Sequence, residues 1–189
     1  HPQMLLNLWI TSKRHRQAIT TPKIYYLSHP KTIWSAGTGI NLITGQVLFR
    51  NGLDTGQFDH EEPVQVAPAA IFVKKSVTDH IGGFDSNYVS SWEDAEFCFR
   101  AKKTGISTYF SPHAIAFHNI PLDPQSEARR LLGRYGFRIG KNRLLFMKKF
   151  ATNYTLFVVL FMPIYLVYYF TLALKTRDFT GYKDFIKGT

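Results

Sequence analysis

The sequence predicts an α/β layer followed by a membrane-seeking helical segment. Three observations lead there. Short β-type runs separated by turn signals recur between residues 22 and 118. Two stretches with helix-capping chemistry interrupt them, an order that belongs to mixed layers. The C-terminal part then holds 21 consecutive uncharged residues, Tyr154 to Leu174. About 20 apolar residues suffice to cross a bilayer as a helix.

The elements follow in order. Residues 3–18 place Leu5, Leu6, Leu8, Trp9 and Ile10 ahead of a basic tail, which predicts the end of an amphipathic helix. Pro22 hands over to KIYYL, a short aromatic strand. TIWSAG, INLI and QVLF predict further strands, with Thr44-Gly45 as a tight hairpin turn and Asn51-Gly52 as another turn. LDTGQFDHEEPV is an acidic, turn-rich loop, and AAIFVKK predicts a strand. Ser76 to Asp79 has the capping-box form, and Gly82-Gly83 closes a short helix. SSWEDAEFCFRAKKTG predicts the second helix. STYF and AIAFH then read as two strands broken by Pro112.

That second helix carries the densest chemistry. Ser91 and Asp94 have capping-box spacing, and Glu93 and Asp94 fall in the first turn, where the macrodipole favours carboxylates. Glu96 and Arg100 stand at i,i+4. Trp92, Ala95 and Phe99 mark a buried face, and Gly105 supplies the stop. Capping accounts for the acids but leaves Trp92, a large aromatic beside two of them, unexplained. Cys98, the single cysteine, lies within the apolar run. It excludes an intrachain disulfide, fits a reducing compartment and reads as a buried, inert thiol.

Net charge is +10, and its distribution argues against a nucleic-acid partner. Residues 1–128 balance 11 Lys+Arg with 11 Asp+Glu, while residues 129–189 hold 12 against 2. Eight of those basic residues fall in residues 129–149, RRLLGRYGFRIGKNRLLFMKK, which contain no acid. Arg130, Arg134 and Arg138 recur at helical spacing, interleaved with Leu131, Leu132, Tyr135, Leu144, Leu145 and Phe146. This predicts a basic amphipathic segment on anionic headgroups. Residues 150–175 follow as a transmembrane helix, kinked at Pro163, and residues 176–189 as a short basic tail. The more basic N-terminal flank predicts that the part before this helix lies on the cytoplasmic side of a single-pass protein. The chain opens His-Pro-Gln-Met, without an initiator Met or a signal-peptide pattern, which suggests a segment of a longer protein.

From Phe72 onward the order of features resembles a known family. A strand ending in two basic residues, GGFD, the Glu93-Asp94 pair heading a helix with Arg100 and Gly105 behind it, then Tyr109, Pro112 and His118, is similar to the second half of the catalytic domain of family 2 glycosyltransferases. PKIYYLSHPKTIWSAGTGINLITGQ and YGFRIGKNRLLFMKK extend the likeness to roughly residues 22–150 and point to a rhamnosyltransferase-like branch. The Trp-acid-Asp-Ala-Glu-Phe order is similar to galactofuranosyltransferases as well.

The resemblance implies a GT-A fold, Rossmann-like, with residues 1–128 as its acceptor-side part and the nucleotide-binding half absent. It implies an inverting transfer from a nucleotide-sugar donor to a glycan or lipid-linked acceptor at the membrane. Asp94 would be the general base, Glu93 its acidic neighbour, and Trp92 and Glu96 would contact substrate. His118 would complete the shell of a divalent cation, Mn²⁺ or Mg²⁺. No Asp-x-Asp motif occurs in the chain, so the cation's other ligands would lie in the absent half, and these residues alone would transfer nothing.

Other readings differ in class. A non-catalytic membrane-docked interaction module uses the same caps as caps only. A nucleic-acid binder is opposed by the confinement of the basic residues to the edge of the apolar run. A glycosidase is opposed by the adjacency of Glu93 and Asp94, because hydrolytic carboxylates flank the scissile bond several ångströms apart.

Overall fold

A computed structural model describes residues 2–189, with side chains outside 124–131. The predicted roles of Arg130 and Leu131 therefore lie outside the described residues. The chain divides into two compact units, residues 1–40, 47–85 and 94–120 in the first, and residues 41–46, 86–93 and 121–189 in the second.

The first unit is mixed α/β, as expected. Helix α1 (Met4–Arg14) leads into β1 (Ile19–Tyr26) and β2 (Thr32–Ser35). A small antiparallel pair, β3 (Thr38–Ile40) and β4 (Val47–Phe49), precedes the short strands β5 (Gly52–Leu53) and β6 (Glu62–Val64). Helices α2 (Lys75–Ile81) and α3 (Glu93–Lys103) come before the long strand β7 (Thr108–His118). Five of the strands form one sheet in the order β5-β2-β1-β7-β6. Its centre is parallel, β1 beside β7, and the other pairs are antiparallel.

Strand β1 is buried along most of its length, and its one charge, Lys23, is paired with Asp54 at 3.2 Å and Asp59 at 2.7 Å. Pro22 sits inside it at an irregularity where the β1–β7 register shifts, a place where a missing N–H costs no ladder bond. Ile19, Ala67, Val77, Phe97, Cys98 and Ala101 close the core between the sheet and helices α2 and α3. Cys98 is the buried thiol expected, and burial pushes it up to about 12.

Several expectations need correction here. AAIFVKK forms no strand beyond a single bridge between Phe72 and Thr20, because Pro68 and the left-handed Ala69 (φ 60°) break the extended path. STYF and AIAFH are one strand, since Pro112 falls in the stretch where the register skips from Ser111 to Ile115. The capping box at Ser76 is replaced by a start at Lys75, whose ammonium pairs with Asp79 at 2.7 Å. Gly82 does end that helix, at φ 81°.

In the second unit, α4 (Pro124–Phe150) is followed by a continuous helix α5 (Tyr154–Thr176) and by α6 (Phe179–Gly188). Among the described residues α5 is the one helix long and apolar enough to cross a membrane. Val159, Leu160, Ile164, Val167 and Leu174 leave its outer side uncovered by protein. Phe157–Phe161 within it is wound as a π-helix. Pro163, at the start of the next turns, has no N–H to bond back four residues, and a widened turn absorbs the break.

The tail after Thr176 is the ordered helix α6, capped by Asp178, whose Oδ1 accepts from the Gly181 amide at 2.9 Å. It packs on α4 through glycines. A Cβ on Gly181 would lie 2.6 Å from the Leu132 carbonyl oxygen, and one on Gly140 would lie 2.7 Å from that of Phe185. Gly133 faces Asp178, Gly136 faces Gly181 and Gly140 faces Phe185, so the numbers rise together and the two helices run parallel. Small residues four apart permit this approach. Tyr169 meets Phe185 and Phe170 meets Tyr182, so α5 runs antiparallel to both. Leu132, Ile139, Tyr169, Ala173 and Phe185 fill the core of this helical unit.

Candidate functional site

The segment leading into α3 adopts backbone that side chains disfavour. Ser90 has φ 53° and Trp92 has φ 66°. Left-handed conformations at non-glycine residues cost roughly 1–3 kcal/mol each and persist where the surroundings enforce them. Helix α4 supplies the enforcement. Asn142 Nδ2 donates to the Ser91 carbonyl oxygen at 2.7 Å, and Lys141 Nζ donates to the Asn87 carbonyl oxygen at 3.2 Å. Asn142 is itself buried, so this clamp works away from competing water.

The clamp displaces the capping box predicted for this helix. Ser91 gives its carbonyl, and at 3.3 Å its hydroxyl, to Asn142, and α3 starts at Glu93. Asp94 is half-buried in the first turn, where its Oδ1 accepts from the Ala95 amide at 2.7 Å. This meets the expectation that carboxylates occupy the positive end of the helix. Glu93 is half-buried as well, and its Oε2 is enclosed without a hydrogen-bond partner. An acceptor oxygen left this way costs about 1–3 kcal/mol, so Glu93 retains a strong demand for a donor.

Trp92 is more enclosed than a contact to a sugar suggests. It is 9% exposed, its ring lies 5.0 Å from Phe146, and the Arg143 guanidinium lies 5.6 Å from its centroid. Glu96 is fully buried and grips the Arg100 guanidinium, with Nε at 3.0 Å from Oε1. Arg100 also donates to the Ile81 carbonyl and, at 2.7 Å, to that of Gly83. This i,i+4 pair ties α3 to the Gly82-Gly83 turn.

His118 ends β7, half-buried, edge-on to Trp34 with centroids 4.5 Å apart. Among the described residues no three His, Cys, Asp or Glu side chains converge as a metal shell requires. The residues present do not by themselves fit a divalent cation, which needs several oxygen ligands. His113 is exposed, as its place beyond Pro112 suggests.

Two residues of the site escaped the sequence reading. Asn142 and Arg143 lay inside a run that looked like a uniformly basic, lipid-facing stripe, yet both are buried. The one signal was Asn142, an uncharged amide between Lys141 and Arg143. No family model matches the chain, and no curated protein matches it.

Proposed function

We propose that the protein is part of an inverting glycosyltransferase that moves a sugar from a nucleotide-sugar donor to a glycan or lipid-linked acceptor at the cytoplasmic membrane face. The observation that carries the proposal is the strained, clamped segment Ser90–Trp92, which delivers two adjacent carboxylates, one with an unmet acceptor oxygen, to the mouth of α3. Strain of this kind concentrates at functional sites, and simple capping does not need it.

Asp94 is the proposed base. Its carboxylate takes the proton of an acceptor hydroxyl as that oxygen attacks the anomeric carbon, and the nucleotide diphosphate departs from the opposite face. Glu93 orients the hydroxyl through its unpaired oxygen. His118 would be one ligand of a divalent cation only if carboxylates from outside the described residues completed its shell. Attachment through α5, with the basic α4 against anionic headgroups, would keep such an enzyme close to a membrane-borne acceptor.

The burial of Trp92 favours a second reading, a non-catalytic membrane-docked module in which these acids only cap. The full-length Asp94→Asn variant separates the two. Asn still accepts from an amide but cannot take a proton, so transfer falls by at least 100-fold at unchanged melting if Asp94 is the base. Wild-type turnover in that variant removes the catalytic reading.

A further inference from the structure

The tip of the β3–β4 hairpin, residues 41–46, clusters with the helical unit. The Thr152 amide, in the corner between α4 and α5, donates to the Leu42 carbonyl oxygen at 3.0 Å. Gly45 lies against the first turns of α5, where a Cβ would come within 2.7 Å of the Phe157 ring and 3.5 Å of the Met147 side chain. Phe157 and Met147 are both fully buried. Between these two attachments Ile43 is left 46% exposed.

The backbone of this tip needs little from water. Asn41 Oδ1 accepts from the Ile43 amide at 2.9 Å and the Thr44 amide at 3.1 Å, and the Asn41 carbonyl accepts from Gly45 at 2.8 Å. Thr44 Oγ1 accepts from the Gln46 amide at 3.2 Å, and the Asn41 amide donates to the Gln46 carbonyl at 2.9 Å. Irregular backbone leaves water cheaply only when its amides bring their own acceptors. The sequence agrees, since no charged residue occurs between Lys31 and Arg50.

The neighbours of the tip define what covers it. Leu156, Val158, Val159 and Leu160, on either side of Phe157, are exposed, so the tip is continuous with the apolar outer side of α5. Lys148 and Lys149 are exposed in the last turn of α4, and no acid occurs between Lys141 and Lys175. An apolar side chain bordered by lysines matches the boundary of an anionic bilayer, where ammonium groups meet headgroups and the side chain meets acyl carbon. A second copy of the chain would bring the same cations to this rim and be repelled.

We propose that residues 41–46 are an additional membrane contact, which seats Ile43 at the acyl boundary of an anionic bilayer beside the first turn of α5, with Lys148 and Lys149 on the headgroups. The contact does not depend on the transferase reading. A single apolar helix leaves the protein free to rotate about the helix axis, and a second contact off that axis fixes the rotation.

The test is a depth measurement on the full chain in vesicles of phosphatidylcholine and phosphatidylglycerol. Ile43→Cys carries a small fluorophore, and wild type, whose Cys98 is buried, serves as the unlabelled blank. Iodide is expected to quench the label roughly fivefold less than it quenches the free fluorophore–cysteine adduct. Nitroxide lipids are expected to quench it, a shallow acyl nitroxide more than a deep one. In phosphatidylcholine alone, and in the Lys148→Gln, Lys149→Gln double variant, nitroxide quenching should fall roughly twofold. Iodide quenching equal to that of the free adduct overturns the proposal. Shielding from iodide without nitroxide quenching means that protein covers the tip, a second copy if crosslinking through residue 43 yields a dimer, and overturns it as well. Equal nitroxide quenching without anionic lipid overturns the anionic partner.

Discussion

Asn142 donates its side-chain amide to the Ser91 carbonyl oxygen 2.7 Å away, across 51 residues of sequence, and so ties the Ser86–Glu93 segment to α4 within the second unit. The bond sets the left-handed turns at Ser90 and Trp92.

Replacing Asn142 by Leu is expected to lower stability by about 1–3 kcal/mol, the penalty for a buried carbonyl left without its donor. The same change should raise amide hydrogen exchange selectively across Ser90–Trp92. Protection there equal to wild type would show that the loop holds its shape unaided.

Glu96→Gln tests the buried pair with Arg100. Removing one charge of such a pair costs on the order of 3 kcal/mol, because the other stays enclosed. Chemical denaturation of wild type and variant measures it. A loss of substrate affinity with no change in stability would return Glu96 to the acceptor site.

Acid should weaken the first unit through Glu61. Burial pushes its carboxyl up, but hydrogen bonds from Thr11, His15 and Arg14 outweigh it and hold the group below its usual 4.5. A folded value below the unfolded one means that the stabilisation is complete above pH 4.5 and is lost as pH falls through the folded value. Melting curves from pH 6 down to pH 3 should therefore fall less steeply for Glu61→Gln. Parallel slopes would locate the acid sensitivity elsewhere.

Gly136→Ala sets helix propensity against packing. Alanine gains about 1 kcal/mol of intrinsic preference, but its Cβ collides with the Gly181 carbonyl. Overpacking of this kind costs about 1–3 kcal/mol, so the expected result is a lower melting temperature in detergent and earlier proteolysis within residues 179–188. A higher melting temperature would show that the seam has slack.

What could be read in the sequence was what local chemistry decides. Gly45 at φ 70° and Gly82 at φ 81° are the turns their positions announce. The Glu96–Arg100 spacing foretold a pair, and 21 uncharged residues foretold α5. What could not be read depends on partners remote in sequence. Pro112 looked like a strand breaker because its harmlessness lies in the register of β1. Residues 176–189 looked like a tail because Gly181 and Gly188 weaken a helix by propensity, and only the backbone of α4 turns them to advantage. In the candidate site the carboxylates were legible at the helix mouth. Asn142 and Arg143 were not, since burial singled them out from a run of eight basic residues.

The parallel seam between α4 and α6 has a consequence for insertion depth. Because α5 turns back along α4, its midpoint lies beside Arg143 and within a turn or so of Arg138 and Lys141. Carrying each of those two charges to mid-bilayer costs roughly 2.5–3.5 kcal/mol. In a bilayer the packed three-helix arrangement would therefore lie in the headgroup boundary, with the outer side of α5 in the acyl chains. A fully threaded α5 requires α6 to peel away from α4, uncovering the glycine backbone at 136, 140 and 181. Were the helices to move between these depths, the glycines at 136, 140 and 181 would set how firmly the shallower arrangement is held, and bulkier residues there would favour the deeper one.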